Sequence, residues 1–187
     1  MERIEILIQQ PKRTIGVLAA VLLAVAVAVG SGANFTAQTA NPGNTFASGT
    51  LTMSNSKDNV AILTAANMKP GDTASGTVDI QNTGSLSGVF SLSRTNLTNS
   101  DAINPMSQKL DLVVKDCGDF SAGTPTCDAG DPEKYNGTLD AMTAAIALGT
   151  YASNEKHRYE FTATFNSSAG DVYQGDSTSA RFQWDAV

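Results

Sequence analysis

The chain has 187 residues, 12 of them Lys or Arg and 18 Asp or Glu, for a net charge of −6 at pH 7. That length suits one domain of ordinary size. The acidic balance excludes nucleic acid and anionic lipid surfaces as partners, since both are themselves negative; the acidic side chains are dispersed, so the charge reads chiefly as solubility.

The first element is a secretion segment. Ile15 to Val29 is an unbroken run of apolar residues and glycine, preceded by Lys12 and Arg13 and followed by Ser31-Gly32-Ala33. A basic flank, a short apolar core and small residues at its end describe a signal peptide. The run falls short of the roughly 20 apolar residues of a spanning helix. The expectation is therefore cleavage after Ala33 by a signal peptidase, with no stable membrane span afterwards, rather than a retained anchor. Residues 1–33 carry three basic and two acidic side chains, so the processed chain is more acidic still. Residues 34–45 form a short mature N-terminal segment, and 46–187 the folded domain.

From Thr50 onward, polar and apolar residues alternate repeatedly. Leu51 and Met53 begin the pattern, followed by Val78 and Ile80, Phe90 and Leu92, and Leu110, Leu112 and Val114. Tyr159, Phe161 and Phe165, then Phe182 and Trp184, complete it. A period of two places each apolar set on one face of a strand. Turn signals separate the runs: Lys69-Pro70-Gly71-Asp72, Asn82-Thr83-Gly84-Ser85, Asn104-Pro105, Ser153-Asn154-Glu155 and Ser168-Ala169-Gly170-Asp171. All six prolines fall outside the clearest strands, as expected where each N–H is needed by a ladder. Seven to nine short strands with one buried face each predict two packed antiparallel sheets. The stretch Leu139–Leu148 reads either as a short helix, from its alanines and methionine, or as an edge strand at its end.

Two cysteines, Cys117 and Cys127, sit in a stretch rich in Gly, Ser, Thr, Pro and Asp. In an exported protein such a pair forms a disulfide that staples a surface loop. A two-cysteine zinc site is the rival, weakened by the lack of further ligands nearby. Asp128, Asp131 and Glu133 follow the second cysteine; they are weak candidates for calcium, and otherwise a solvated acidic turn. The single histidine, His157, lies between Lys156 and Arg158 and reads as a solvated strand start.

Several short motifs occur in a fixed order: Phe46 with Gly49-Thr50-Leu51, Lys69-Pro70-Gly71-Asp72, Asn82-x-Gly84-Ser85-Leu86, Tyr173-Gln174-Gly175, and Phe182 with Trp184. In this order and spacing the chain resembles the TasA/camelysin family of secreted bacterial proteins. The resemblance implies an all-β fold, an antiparallel β-sandwich of jelly-roll type behind an N-terminal signal helix. It also implies a structural role, self-association into filaments of an extracellular biofilm matrix or surface layer. In such fibres the mature N-terminal segment of one subunit adds a strand to the next. The candidate donor strand here is Asn34, Phe35, Thr36, Ala37, Gln38, Thr39 and Ala40, with Phe35, Ala37 and Thr39 on one face and Asn41-Pro42-Gly43-Asn44 as a hinge. Tyr173-Gln174-Gly175 reads as a packed corner of the sandwich before the last strand.

The name camelysin also carries a metallo-endopeptidase assignment. A zinc peptidase of the common kind needs His-Glu-x-x-His to hold the metal and place a base. One histidine cannot supply that, no Gly-x-Ser-x-Gly elbow is present, and no catalytic residue stands out. The chain therefore reads first as a structural subunit without a cofactor, with a secreted metallo-endopeptidase as the alternative. A monomeric wall- or carbohydrate-binding module is a third reading; an exposed Tyr173 beside Trp184 would favour it.

Overall fold

The computed structural model describes residues 12, 15–22 and 47–187. Residues 15–22 are helical, and no helix among the described residues is long and apolar enough to cross a membrane. Ala33 and the candidate donor strand, residues 34–40, lie outside the described residues. The body, Ala47–Val187, is a compact unit of its own.

Eight strands make up the described body: β1 (Met53–Asn55), β2 (Thr73–Asn82), β3 (Gly88–Asn99), β4 (Leu110–Asp119), β5 (Glu133–Thr138), β6 (Ile146–Tyr151), β7 (Lys156–Phe165) and β8 (Thr178–Ala186). They pair, antiparallel throughout, into a five-stranded sheet of order β1-β2-β7-β4-β5 and a three-stranded sheet of order β6-β3-β8. The expected antiparallel sandwich is what the chain forms. Strands of this kind follow from β-branched and aromatic residues at alternate positions, whose apolar halves must be covered by a second layer.

The core lies between the sheets. Val78, Ile80, Phe90, Leu92, Val114, Tyr159 and Phe161 are all at most 1% exposed, the faces that the alternation assigned. Each such side chain contributes roughly 1.5–3 kcal/mol by leaving water. Aromatic rings pack within and between the layers: Phe90 stacks on Tyr151 inside the smaller sheet at 4.3 Å between centroids, and Tyr159 of the larger sheet packs across to Trp184 at 5.1 Å. The Leu139–Leu148 stretch contains no helix. It is a turn that buries Leu139 and Met142, then enters β6, an edge strand of the smaller sheet.

Two glycines fix the long connection between β1 and β2. At Gly71 the backbone has φ +95°, a left-handed value that closes the Lys69–Asp72 turn, where Asp72 N–H donates to Lys69 O at 2.9 Å. At Gly76 the Ile62 carbonyl lies so close that any Cβ would collide with it. The connection thus lies flat on β2 and brings Ile62 and Leu63 to the core margin.

The two sheets are also tied by one buried polar side chain. Asn82 is fully buried; its Nδ2 donates to Leu86 O at 2.8 Å and Tyr151 O at 3.1 Å, while its Oδ1 accepts from Gly84 N–H at 3.0 Å. Asn82→Ala strands two carbonyls and an N–H away from water. The expected loss is about 2–3 kcal/mol, read as a lower urea midpoint at unchanged slope.

Candidate functional site

Two places in the body are built for more than packing. The first is a cleft of about 950 Å³ beside the outer edge of β8. Ile62, Leu63, Leu112, Ala163, Phe165 and Phe182 give it apolar walls, and Gln174, Asp176 and Ser177 a polar mouth. It exists because five strands face three. The inner face of the larger sheet runs past the smaller one, and β8, the last strand of its sheet, pairs only with β3 among the described residues. The other side of β8 therefore presents the N–H and C=O groups that a further strand would take up.

The cleft lies at the end of the body where β2 begins and β7 ends, since Ala74 and Phe165 line it. Residues 49–52 lie at the other end. Thr50 N–H donates to Ser85 Oγ at 2.9 Å, Leu86 N–H to Thr50 O at 3.1 Å, and Thr83 N–H to Thr52 O at 2.9 Å. β1 then pairs with the last residues of β2, Met53 opposite Asn82. The chain thus enters the body a full strand length from the cleft.

The Tyr173-Gln174-Gly175 corner forms the rim of the cleft. Asp171–Tyr173 is a single 3₁₀ turn, and Tyr173 meets Phe165 edge-on at 6.5 Å between centroids. Trp184 is 8% exposed and turned inward. Tyr173 and Trp184 therefore present no shared aromatic platform.

The second place corrects the reading of His157. The residue does start a strand, but its side chain is only 15% exposed and faces inward, not into solvent. Nδ1 lies 2.9 Å from Asp116 Oδ1 on β4, and Nε2 lies 2.9 Å from Glu155 Oε1 in the turn before β7. Its ring stacks on Tyr151 of the opposite sheet at 4.4 Å. Asp116 also accepts from Gly118 N–H at 3.1 Å and pairs with Lys134 Nζ at 3.3 Å. Glu155 accepts from Ala152 N–H at 2.6 Å. Beneath them the hydroxyls of Tyr151 and Tyr159 are bonded to each other.

The electrostatics follow from this geometry. Burial opposes the charge on Asp116, but the His157 and Gly118 hydrogen bonds and Lys134 outweigh it, and the carboxyl titrates below its usual range. Glu155 is lowered too, first by its bond to His157. Burial likewise opposes the imidazolium, yet the two carboxylates prevail and His157 is raised. Burial lifts both tyrosines well above the ordinary phenol value, so they stay neutral.

Cys117 and Cys127 are disulfide-bonded, with Cα atoms 4.7 Å apart, and staple the connection from β4 to β5. Asp128, Asp131 and Glu133 do not converge. Asp131 Oδ2 accepts from Asp128 N–H at 2.6 Å, whereas Glu133 binds Asn136 Nδ2 at 2.8 Å. Among the described residues no group of three or more His, Cys, Asp and Glu is placed to hold a metal ion.

A family model described as camelysin metallo-endopeptidase matches residues 9–111, more than half of the 187. The match runs from the N-terminal segment through β1, β2 and β3 to the start of β4. No curated protein matches the chain. The metal that this description implies does not fit the residues present: the sole histidine has both ring nitrogens engaged by carboxylates, and both cysteines are oxidised.

Proposed function

The chain belongs to the camelysin family of secreted and surface-associated proteins, and from that premise we propose that it is an exported structural subunit whose mature N-terminal segment adds a strand to the next copy, giving extracellular filaments. The observation that carries this reading is the edge of β8, unpaired among the described residues, beside the apolar cleft. An incoming strand would satisfy the β8 backbone and place alternate side chains in the cleft. Asn34-Phe35-Thr36-Ala37-Gln38-Thr39-Ala40 has the required alternation, with Phe35, Ala37 and Thr39 on one face.

The separation of the two ends supports the same reading. The cleft and the entry of the chain lie at opposite ends of the strands. Thirteen residues, 34–46, reach about 43–47 Å when fully stretched, enough to cross into a neighbouring body. A contact between unlike ends is head-to-tail, and it propagates as a filament wherever its rotation does not close a ring.

The test is negative-stain microscopy of residues 34–187 beside the same protein lacking 34–42. Filaments in the first and folded single particles in the second are expected. Filaments of normal yield from the deletion would sink strand addition. The family's description favours one other reading, a secreted metallo-endopeptidase. Chelator-sensitive cleavage of casein by a homogeneous preparation would establish it, and would require a metal site other than the His157 cluster.

A further inference from the structure

We propose that Asp116, His157 and Glu155 form a pH-operated latch, which ties the turn at 152–155 and the disulfide-bearing bulge of β4 to β7 while the imidazole carries its second proton, and lets the turn go when that proton leaves. The inference does not depend on assembly, since it concerns the isolated body.

The geometry demands two protons. Both ring nitrogens lie 2.9 Å from carboxylate oxygens, and a carboxylate only accepts. An imidazolium donates to both. A neutral ring has one N–H and one lone pair, so in either tautomer one carboxylate faces a lone pair at that distance.

The surrounding charges decide which contact fails. Asp116 keeps Lys134 of β5 and the Gly118 N–H. Glu155 keeps only the Ala152 N–H within its own turn. The remaining N–H therefore stays with Asp116, and Glu155 is released. No other titratable group takes over. Tyr151 and Tyr159 remain neutral and bonded to each other. Asp119, across from His157 in the β4 register, is exposed. Lys156 and Arg158 face the other side of the sheet, over Phe120, with Arg158 held by Asp79.

The released turn is tied to its surroundings. Asn82 N–H donates to Glu155 O at 2.9 Å, Asn154 N–H to Asn82 O at 2.9 Å, and Ser153 Oγ to Gly84 O at 2.6 Å. Gly84 is bonded to the Asn82 side chain, and Ser85 and Leu86 to Thr50. Loss of the Glu155 contact thus loosens the β2–β3 connection and residues 50–52.

The raised His157 sets the direction. A group that binds its proton more tightly when folded stabilises the fold fully below its ordinary value, about 6.5, and loses that contribution as pH rises through the folded value. The two carboxylates are lowered, so their share is lost only as pH falls through their folded values, below the ordinary 3.8 of Asp116 and 4.5 of Glu155. The latch is complete from about pH 4.5 to 6.5 and opens on the alkaline side.

A single histidine makes the test direct. Proton NMR of the native body should give one imidazole titration with its midpoint above 6.5. Hydrogen exchange at 82–86 and 152–158, corrected for its intrinsic pH dependence, should accelerate by up to tenfold per pH unit across that midpoint. His157→Gln should remove this pH dependence while exchange in β3 and β8 stays as in the native protein. A midpoint at or below 6.5, or protection that does not change through the titration, overturns the proposal. The native titration decides the matter even if the variant fails to fold.

Discussion

Ala180→Asp in residues 34–187 is expected to yield folded single particles and no filaments. Ala180 is half-buried on β8 and lines the cleft together with Phe182, two residues on and on the same face. In the isolated body the new carboxylate reaches the water that fills the open cleft, so the urea midpoint should move little. Beneath a docked strand the same carboxylate would be desolvated without a partner, which costs several kcal/mol. Even about 3 kcal/mol lowers the affinity of each subunit contact by more than a hundredfold, enough to end polymerisation at ordinary concentrations. Gln183→Glu is the control, because Gln183 is exposed and outside the cleft; that variant should polymerise as the native protein does. Sedimentation and negative-stain microscopy read both. Normal filaments from Ala180→Asp would remove β8 as the acceptor and turn attention to the other sheet edges, β1, β5 and β6.

Much of the body can be read from local alternation, and the remainder depends on pairings that no local pattern encodes. Val78 and Ile80, Phe90 and Leu92, and Tyr159 and Phe161 are buried because a period of two leaves them no other face. The Lys69–Asp72 turn follows from Pro70 and Gly71 in the same local way. The disulfide is legible from two cysteines ten residues apart in one Gly-, Ser- and Pro-rich stretch. The charged neighbours of His157 suggest a solvated position, yet it shares parity with Tyr159, Phe161 and Phe165, and the alternation that buries them turns it inward. Asp116 shares parity with Leu112 and Val114 and is buried for the same reason. That these two meet depends on the β4–β7 register and its bulge between Asp116 and Asp119, a long-range pairing. The cleft was equally hidden. It arises from a partition of five strands against three, decided by which strands find each other across the whole chain.

Asp116→Ala is expected to be among the most destabilising single changes outside the apolar core. Asp116 is 6% exposed and is the point where β4, β5 and β7 meet through Gly118, Lys134 and His157. Its removal leaves an imidazolium held only by Glu155, a lysine left with only the Leu148 carbonyl, and an N–H without its partner. Removing one partner of a buried pair typically costs about 3–5 kcal/mol, chiefly because the other charge remains behind. Lys134 is partly exposed and can swing to water, so the lower end of that range, about 3 kcal/mol, is the expectation at pH 6. Above the His157 titration midpoint the ring is neutral in the native protein too, and there the same substitution should cost less. The double change Asp116→Ala with His157→Leu separates the two origins of the loss. If the cost is the abandoned charge, replacing the histidine by an apolar residue of similar reach over Tyr151 recovers part of the stability. If the loss persists undiminished, Asp116 acts instead through Gly118, by holding the bulge that carries Cys117. Urea denaturation at pH 6 and above that midpoint distinguishes these outcomes, and the coupling between the two substitutions measures the latch itself.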